Sequence, residues 1–383
     1  SFDYSQIELR LAAEMSQDNN LSSSYEYRKP YVEDVNIFSS EILHKKVIPR
    51  QVEIQPGPLS KKICWLDCPF CYGKSAKDTG ERLPLKRYTK VINDIANGGC
   101  KKIIVAGWAT DPLNYKHIDE LVSTIVSNKM IVGFNTRAIR ISDQLINTLS
   151  SNSIVPESYF SVSVDSGSNQ TYNKVHGVKS RSKIYDRVLK NIQHLISSKS
   201  ENGTRLDVSA TYLVNKFSFN YKDITSFIHD FKAAGCDILR FSFPQIPRGD
   251  TRNESISNID KCYEYIRELR NIIKNYEETN FRISLIEPDG FTHPRTLPCV
   301  ARFVYPTIGF DGWLYHCSQS AGPNFRSMAL GNLADRDFWD IFYNYSFENK
   351  KTYFESCSKE MVNNGCRCDR KEHTVNQEIG CHI

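Results

Sequence analysis

From about residue 47 the chain alternates short runs of β-branched and aromatic residues with stretches in which apolar side chains recur every three or four positions. The first pattern has the period of a strand and the second that of an amphipathic helix, so the alternation predicts a parallel sheet joined by crossover helices. QVEIQ (51–55) reads as the first strand, ending in the proline and glycine of PGP. Tyr88, Val91, Ile92 and Ile95 form a helical stripe stopped by Gly98 and Gly99, and KKIIVAG (101–107) is the second strand. Ile118, Leu121, Val122 and Ile125 mark the next helix, MIVGFNT (130–136) the third strand, and SDQLINTLSS (142–151) a helix with Ser142 as its N-cap. YFSVSVD (159–165), LDVSATYLV (206–214) and ILRFSF (238–243) are strands four to six. IYDRVLKNIQHLI (184–196) and DITSFIHDFKAAG (223–235) are the helices between them, and a long amphipathic helix, NIDKCYEYIRELRNIIKNY (258–276), follows. Six such units are fewer than the eight that close a full barrel, so the expected fold class is α/β, a partial (βα)6 TIM barrel.

After residue 280 the texture changes to strand, turn and loop. In FVYPTIGFDGWLYHC (303–317) the FDGW stretch lies between two β-rich runs and reads as a hairpin turn, Asp-Gly supplying the positive backbone angles. The expected division is an N-terminal helical segment and connector (1–46), the partial barrel (47–280) and a small, cysteine-rich hairpin-and-loop domain (281–383).

Composition adds modest constraints. With 383 residues, 40% hydrophobic and 24% charged, the chain has ample length for a sizeable core. A net charge of +5, spread along the sequence, describes a slightly basic solvated surface better than a nucleic-acid interface. No run approaches the eighteen apolar residues of a membrane span, and no secretory signal pattern opens the chain, so cytoplasmic localisation without a membrane partner is expected. The twelve cysteines change the picture most. Cys64, Cys68 and Cys71 share one loop, six more (Cys299, Cys317, Cys357, Cys366, Cys368 and Cys381) fall in the last 85 residues, and Cys100, Cys236 and Cys262 stand singly. Tight cysteine clusters in a chain of enzyme size point to metal more than to disulfides.

Cys64, Cys68 and Cys71 have the spacing CxxxCxxC, directly after the first strand and before the first helix. Structural zinc takes four ligands, and an electron-carrying cubane takes four thiolates. Three thiolates therefore suggest a cluster with one iron kept open, the alternative being a zinc knuckle or redox loop completed from elsewhere. The motif, with Phe70 before its last cysteine and its place in a (βα)6 chain, resembles the radical SAM superfamily. That resemblance implies a [4Fe-4S] cluster on Cys64, Cys68 and Cys71 whose open iron chelates S-adenosyl-L-methionine, and reductive cleavage to a 5′-deoxyadenosyl radical that abstracts hydrogen from substrate. It also implies cofactor contacts at the strand ends. Asp111 in GWATDP stands where the family carries a GGEP-like stretch, though the Gly-Gly-Glu order is lost. Asn135 and Thr136 end strand three, Ser161, Ser163 and Asp165 end or line strand four, and Asn215 and Arg240 belong to strands five and six. For each, a polar strand end that satisfies turn backbone is the alternative.

In LPCVARFVYPTIGFDGWLYHC, Cys299 and Cys317 flank the hairpin, and GNLADRDFWDIF and CSKEMVNNGCRC follow. This order resembles the SPASM and Twitch extensions of radical SAM enzymes, though the later cysteine spacings differ from a full SPASM domain. Six cysteines are too few for two fully thiolate-ligated cubanes. One auxiliary [4Fe-4S] cluster follows from the resemblance, on Cys299, Cys317, Cys366 and Cys368 with Cys357 as substitute, and a zinc site is the alternative.

The resemblance implies oxidation, cross-linking or epimerisation of a peptide, as in ribosomal peptide maturation, or of a small molecule such as an amino sugar or polyol. It implies an external electron donor such as flavodoxin or ferredoxin, and no nucleic-acid partner is expected. A reading from another class starts from SFDYSQIELRLAAEMS (1–16), which resembles motif A of family A DNA polymerases, with Asp3 at the aspartate position. One carboxylate without a partner cannot hold two metals. Ser5 and Glu8 there also form a capping-box pattern. A non-catalytic iron-sulfur or nucleic-acid-binding protein is thus the alternative, but pure electron transfer leaves the three-cysteine count unexplained.

Overall fold

The computed structural model describes residues 34–57, 64–71, 80–108, 110–244, 259–276, 281–286, 299–346, 375, 376 and 379. Its centre is one sheet of ten strands: β1 (Val52–Ile54), β2 (Lys102–Val105), β3 (Ile131–Thr136), β4 (Tyr159–Ser163), β5 (Asp207–Leu213), β6 (Ile238–Ser242), β7 (Arg282–Leu285), β8 (Thr307–Ile308), β9 (Trp313–Tyr315) and β10 (Gly331–Asn332). The strand order is β10-β9-β8-β1-β2-β3-β4-β5-β6-β7. All pairings from β8 through β1 to β7 are parallel, and β9 and β10 extend the β8 edge antiparallel. This is the expected α/β fold, a parallel core with helices packed on it in the manner of a partial TIM barrel.

Ten helices accompany the sheet among the described residues: α1 (Val35–Leu43), α2 (Leu85–Asn97), α3 (Ile118–Ser127), α4 (Asp143–Leu149), α5 (Asn169–Val175), α6 (Ile184–Glu201), α7 (Tyr221–Ala233), α8 (Ile259–Lys274), α9 (Ala301–Val304) and α10 (Phe338–Phe342). The stripe read as the first crossover helix is the buried face of α2, where Tyr88, Val91, Ile92 and Ile95 are all buried. Ser142 caps α4 as its sequence suggests, its hydroxyl accepting from the Leu145 amide at 3.0 Å. Helix α5 escapes a periodicity reading because NQTYNKV is short and mostly polar. The Ser168 hydroxyl caps it by accepting from the Thr171 amide at 3.2 Å.

The sheet has two unlike faces. Val52, Ile54, Ile103, Val105, Phe134, Phe160, Tyr212 and Phe241 join the apolar core with the helices. Phe227 of α7, for example, meets the Tyr212 ring at 5.1 Å. Register sets other residues side by side on the opposite face. Glu53 pairs with Thr307, Asn135 with Ser161, Ser161 with Ser209, and Thr211 lies between Ser163 and Arg240, which in turn pairs with Ser284. A barrel that only packs itself fills this face with branched aliphatics, whereas here it is rich in hydroxyls and charge.

The FDGW stretch forms the expected turn. Gly312 takes φ +80°, the Gly309 amide donates to Trp313 O at 2.9 Å, and Thr307 pairs with Tyr315 across the hairpin. Only the glycine of the Asp-Gly pair has a positive φ. The Asp311 carboxylate instead accepts from the Trp313 amide, the Tyr315 hydroxyl and Arg326. Strands on both sides of position 280 belong to the same sheet, since β8 of the hairpin pairs with β1. No helix among the described residues is long and apolar enough to cross a membrane. Residues 1–16, including the polymerase-like stretch and the Ser5–Glu8 pattern, lie outside the described residues, as do Cys357, Cys366, Cys368 and Cys381.

Candidate active site

Parallel strands of a βα fold deliver their carboxyl ends to one rim, and the loop with Cys64, Cys68 and Cys71 lies there, between β1 and α2. All three thiols are free of disulfides; Cys68 is buried and the other two are partly exposed. Two backbone contacts order the loop. The Cys71 amide donates to Cys68 O at 3.2 Å and the Asp67 amide to His176 O at 3.0 Å. Gly177, at φ +62°, follows that histidine, and a Cβ there would meet Asp67 Cβ at 2.8 Å, so the loop rests directly on the end of α5.

Burial pushes the Cys68 thiol up to about 11, against the pull of Arg137, and it also raises Cys64. Each thiol is close enough to the others for their charges to interact. Among the described residues, no three cysteine, histidine or carboxylate side chains converge on a single metal ion. A mononuclear zinc site needs its donors on one small tetrahedron, whereas a cubane offers each thiolate its own iron and needs them spread. Three free thiols on one loop match the donor count of a cubane with one iron left open.

The expected cofactor contacts gather into two groups at this rim. Asp111 accepts from the Thr136 hydroxyl at 2.8 Å, the Arg137 amide at 2.6 Å and the Leu113 amide at 2.9 Å. Its carboxylate braces the end of β3, and burial raises its pKa against those hydrogen bonds. Asp111 and Asn114 also line a cleft with Cys64, Leu66 and Arg140. In the second group, Asp165 takes one hydrogen bond from Arg137 Nη1 at 2.8 Å and another from the Leu213 amide at 2.9 Å. Ser163 contributes its carbonyl to Arg137 at 3.4 Å.

The other candidates lie apart from these groups. Asn135, Ser161 and Arg240 stand on the polar face of the sheet. Asn215 is spent on its own turn, where its side chain accepts from the Phe217 amide at 2.9 Å and donates to Leu213 O at 2.9 Å.

Two site residues escaped the sequence reading. Arg137 follows Thr136 at a strand end, so the strand-end rule that picked out its neighbour could have included it. His176 had no signal, being 108 residues from Cys68, yet its Nδ1 lies 3.1 Å from the Cys68 sulfur. The ring is fully buried; burial and the Arg137 charge hold its pKa well below the ordinary histidine value.

On either side of the β8–β9 hairpin, Cys299 and Cys317 are both buried. The tail returns to this region. Asn376 Oδ1 accepts from the Val300 amide at 2.9 Å, one residue from Cys299, and Val375 and Ile379 join the core.

A model of the radical SAM superfamily matches residues 60–214, a segment that holds the cysteine loop and strands β2 to β5. Solved structures similar to the chain include Streptococcus suis SuiB bound to S-adenosylmethionine (17% identity, 90% of this chain and 78% of that one, TM-score 0.60). Streptococcus suis SuiB bound to precursor peptide SuiA is similar over 91% of this chain and 82% of that one (15% identity, TM-score 0.59). Native anSMEcpe with bound AdoMet and Cp18Cys peptide is similar over 84% and 89% of the respective chains (14% identity, TM-score 0.55). No curated protein sequence matches the chain. The chain shares the fold of these solved structures, and its residues 60–214 match the radical SAM superfamily.

Proposed function

We propose that the chain is a radical SAM enzyme that modifies a peptide. The observation that carries this reading is the three-thiol loop at the carboxyl rim of the parallel strands, free of disulfides and sharing a cleft with Asp111. Cys64, Cys68 and Cys71 would hold a [4Fe-4S] cluster and leave one iron open for S-adenosyl-L-methionine. When bound, the cluster supplies the electron, taken from a donor such as flavodoxin or ferredoxin, that cleaves the cofactor and so produces the radical that removes a hydrogen atom from substrate.

The chain's own residues supply the surroundings. Asp111, Thr136 and Asp165 hold the ends of β3 and β4 in place, Asn135, Ser161, Ser163 and Arg240 complete the set of proposed cofactor contacts, and Asn215 contributes through the turn that its side chain braces. The polar sheet face offers hydrogen-bonding groups to a guest. Gln55 Oε1, Ser284 Oγ and Thr307 Oγ1 are buried there with no hydrogen-bond partner among the described residues. Leaving such atoms unpaired is costly, and a ligand or water beside them would relieve it. A peptide is favoured over an amino sugar or polyol because two similar folds, SuiB with SuiA and anSMEcpe with Cp18Cys peptide, are solved with peptides bound.

The hairpin and tail would carry one auxiliary [4Fe-4S] cluster, on Cys299, Cys317, Cys366 and Cys368 with Cys357 as substitute. Support comes from the burial of the first two and from the Asn376 contact that brings the tail beside Cys299. Such a cluster would supply an acceptor for one electron from the substrate and so make the net change a two-electron oxidation, as in cross-linking, whereas epimerisation would leave the oxidation level of the substrate unchanged.

Anaerobic reconstitution tests the whole reading. The wild-type chain should bind iron and sulfide and form 5′-deoxyadenosine from S-adenosyl-L-methionine with dithionite, and Cys64→Ala, Cys68→Ala and Cys71→Ala should each abolish that product. The triple variant should keep roughly four irons, the content of one cubane. Stoichiometric zinc without sulfide in the wild type would refute the proposal.

A further inference from the structure

His176 occupies a position that the chemistry above does not use. It caps α5, and both its backbone and its ring hold the cysteine loop, the carbonyl through Asp67 N at 3.0 Å and Nδ1 through the Cys68 sulfur at 3.1 Å. Nε2 has two competing neighbours at equal distance, Val164 O at 3.1 Å and Arg137 Nη1 at 3.1 Å. The carbonyl accepts only, so that contact needs a proton on Nε2. The guanidinium donates only, so its contact needs a bare Nε2. The two cannot be satisfied together, and the state of Cys68 decides between them.

A thiol can donate its own hydrogen to Nδ1, which places the ring proton on Nε2 facing Val164. A thiolate bound to iron has no hydrogen to give. The 3.1 Å contact to Cys68 is then a hydrogen bond only when Nδ1 carries the proton. Nε2 is then bare and takes Arg137, whose Nη1 is aimed by Asp165 at 2.8 Å. We propose that His176 is a positioning residue that donates its Nδ1 hydrogen to the Cys68 thiolate when that thiolate ligates the cluster, with Arg137 and Asp165 selecting the tautomer.

The inference rests on the cluster assignment above. A hydrogen bond to a ligating sulfur favours the more negative, reduced cluster and so raises its reduction potential. His176 would make the electron that starts the reaction easier to deliver.

The test needs no substrate. Wild type, His176→Leu and His176→Asn are reconstituted and titrated anaerobically, with the reduced cluster followed by electron paramagnetic resonance. The Leu variant should load the same iron and sulfide but have a lower midpoint potential. The Asn variant, whose amide nitrogen takes the place of Nδ1, should recover toward wild type. A Leu variant that loads fully with an unchanged potential would overturn the proposal. If the Leu variant does not load, 15N-histidine-labelled wild type without S-adenosyl-L-methionine decides. A weak 15N coupling to the reduced cluster supports the hydrogen bond, and none refutes it. A wild type that takes up no iron or sulfide would instead sink the cluster assignment, and this inference with it.

Discussion

Asp165 shows how one residue can be set by its neighbours. Its φ is +62°, a left-handed backbone that costs a non-glycine residue about 1 kcal/mol. It is 1% exposed, and burial raises its pKa against the pull of Arg137. What holds it there is its two contacts, to Arg137 Nη1 and to the Leu213 amide. Burial also works against the Arg137 charge, but Cys68 and Asp165 more than offset it. Asp165→Ala removes the carboxylate partner of that partly exposed cation and should cost about 1.5–3 kcal/mol in urea unfolding. Asp165→Asn keeps an acceptor for Leu213 and should cost less. An Ala variant within 1 kcal/mol of wild type, on the order of one neutral hydrogen bond, would show that Arg137 does not depend on this carboxylate. At this scale the legible residues were those with a local signal. Cys64, Cys68 and Cys71 stood out by spacing, and Asp111, Thr136 and Asp165 by lying where strands end. His176 was illegible, because only the packing of α5 under the loop brings it to Cys68.

Among the elements, α10 and α2 are separated by some 240 residues yet fit one another closely. Trp339 Nε1 donates to Asp94 O at 2.7 Å, and Lys90 pairs with Asp337 at 2.6 Å. A Cβ on Gly98 would lie 2.2 Å from the Trp339 ring. Gly98 reads in sequence as a helix stop. The positive φ that ends the helix belongs to Gly99, at +95°, while Gly98 with φ −79° is small so that the indole can pass. Gly98→Ala should therefore displace α10 and cost about 1–3 kcal/mol, seen as a lower thermal midpoint. A variant as stable as wild type would mean that the indole moves aside freely. The crossover helices α2, α3, α6 and α7 were legible because each presents a long apolar stripe, and α4 because its Ser142 cap precedes Leu145, Ile146 and Leu149. Helix α5 was too short and polar to read, and the pairing of β8 with β1 left no local trace at all.

Across the whole molecule, the apolar core behind the sheet also buries thiols that no proposed site uses. Burial raises Cys100 from 9.0 to about 11, and burial followed by the Asp237 charge raises Cys236 to about 12. A thiol whose value is raised on folding contributes stability that is fully present below the unfolded value and is lost as pH rises through the folded one. Stability should hold near pH 8 and fall between about pH 9 and 12, by about 3 kcal/mol on account of Cys100 and about 4 kcal/mol on account of Cys236. Urea midpoints across that range check it, and Cys100→Ala should flatten the fall. An unaltered slope in that variant would remove Cys100 from the account. The same large-scale view separates what sequence and structure each decided. By itself the sequence determined the parallel α/β class, the helix faces and the three-thiol loop, because these follow from periodicity and spacing within a few dozen residues. The tertiary structure alone decided three things: the joining of the hairpin to β1, the return of Asn376 to the Val300 amide next to Cys299, and the meeting of His176 and Arg137 with Cys68. Each is a contact between distant segments, and its position depends on how whole elements pack, which no local pattern of residues encodes.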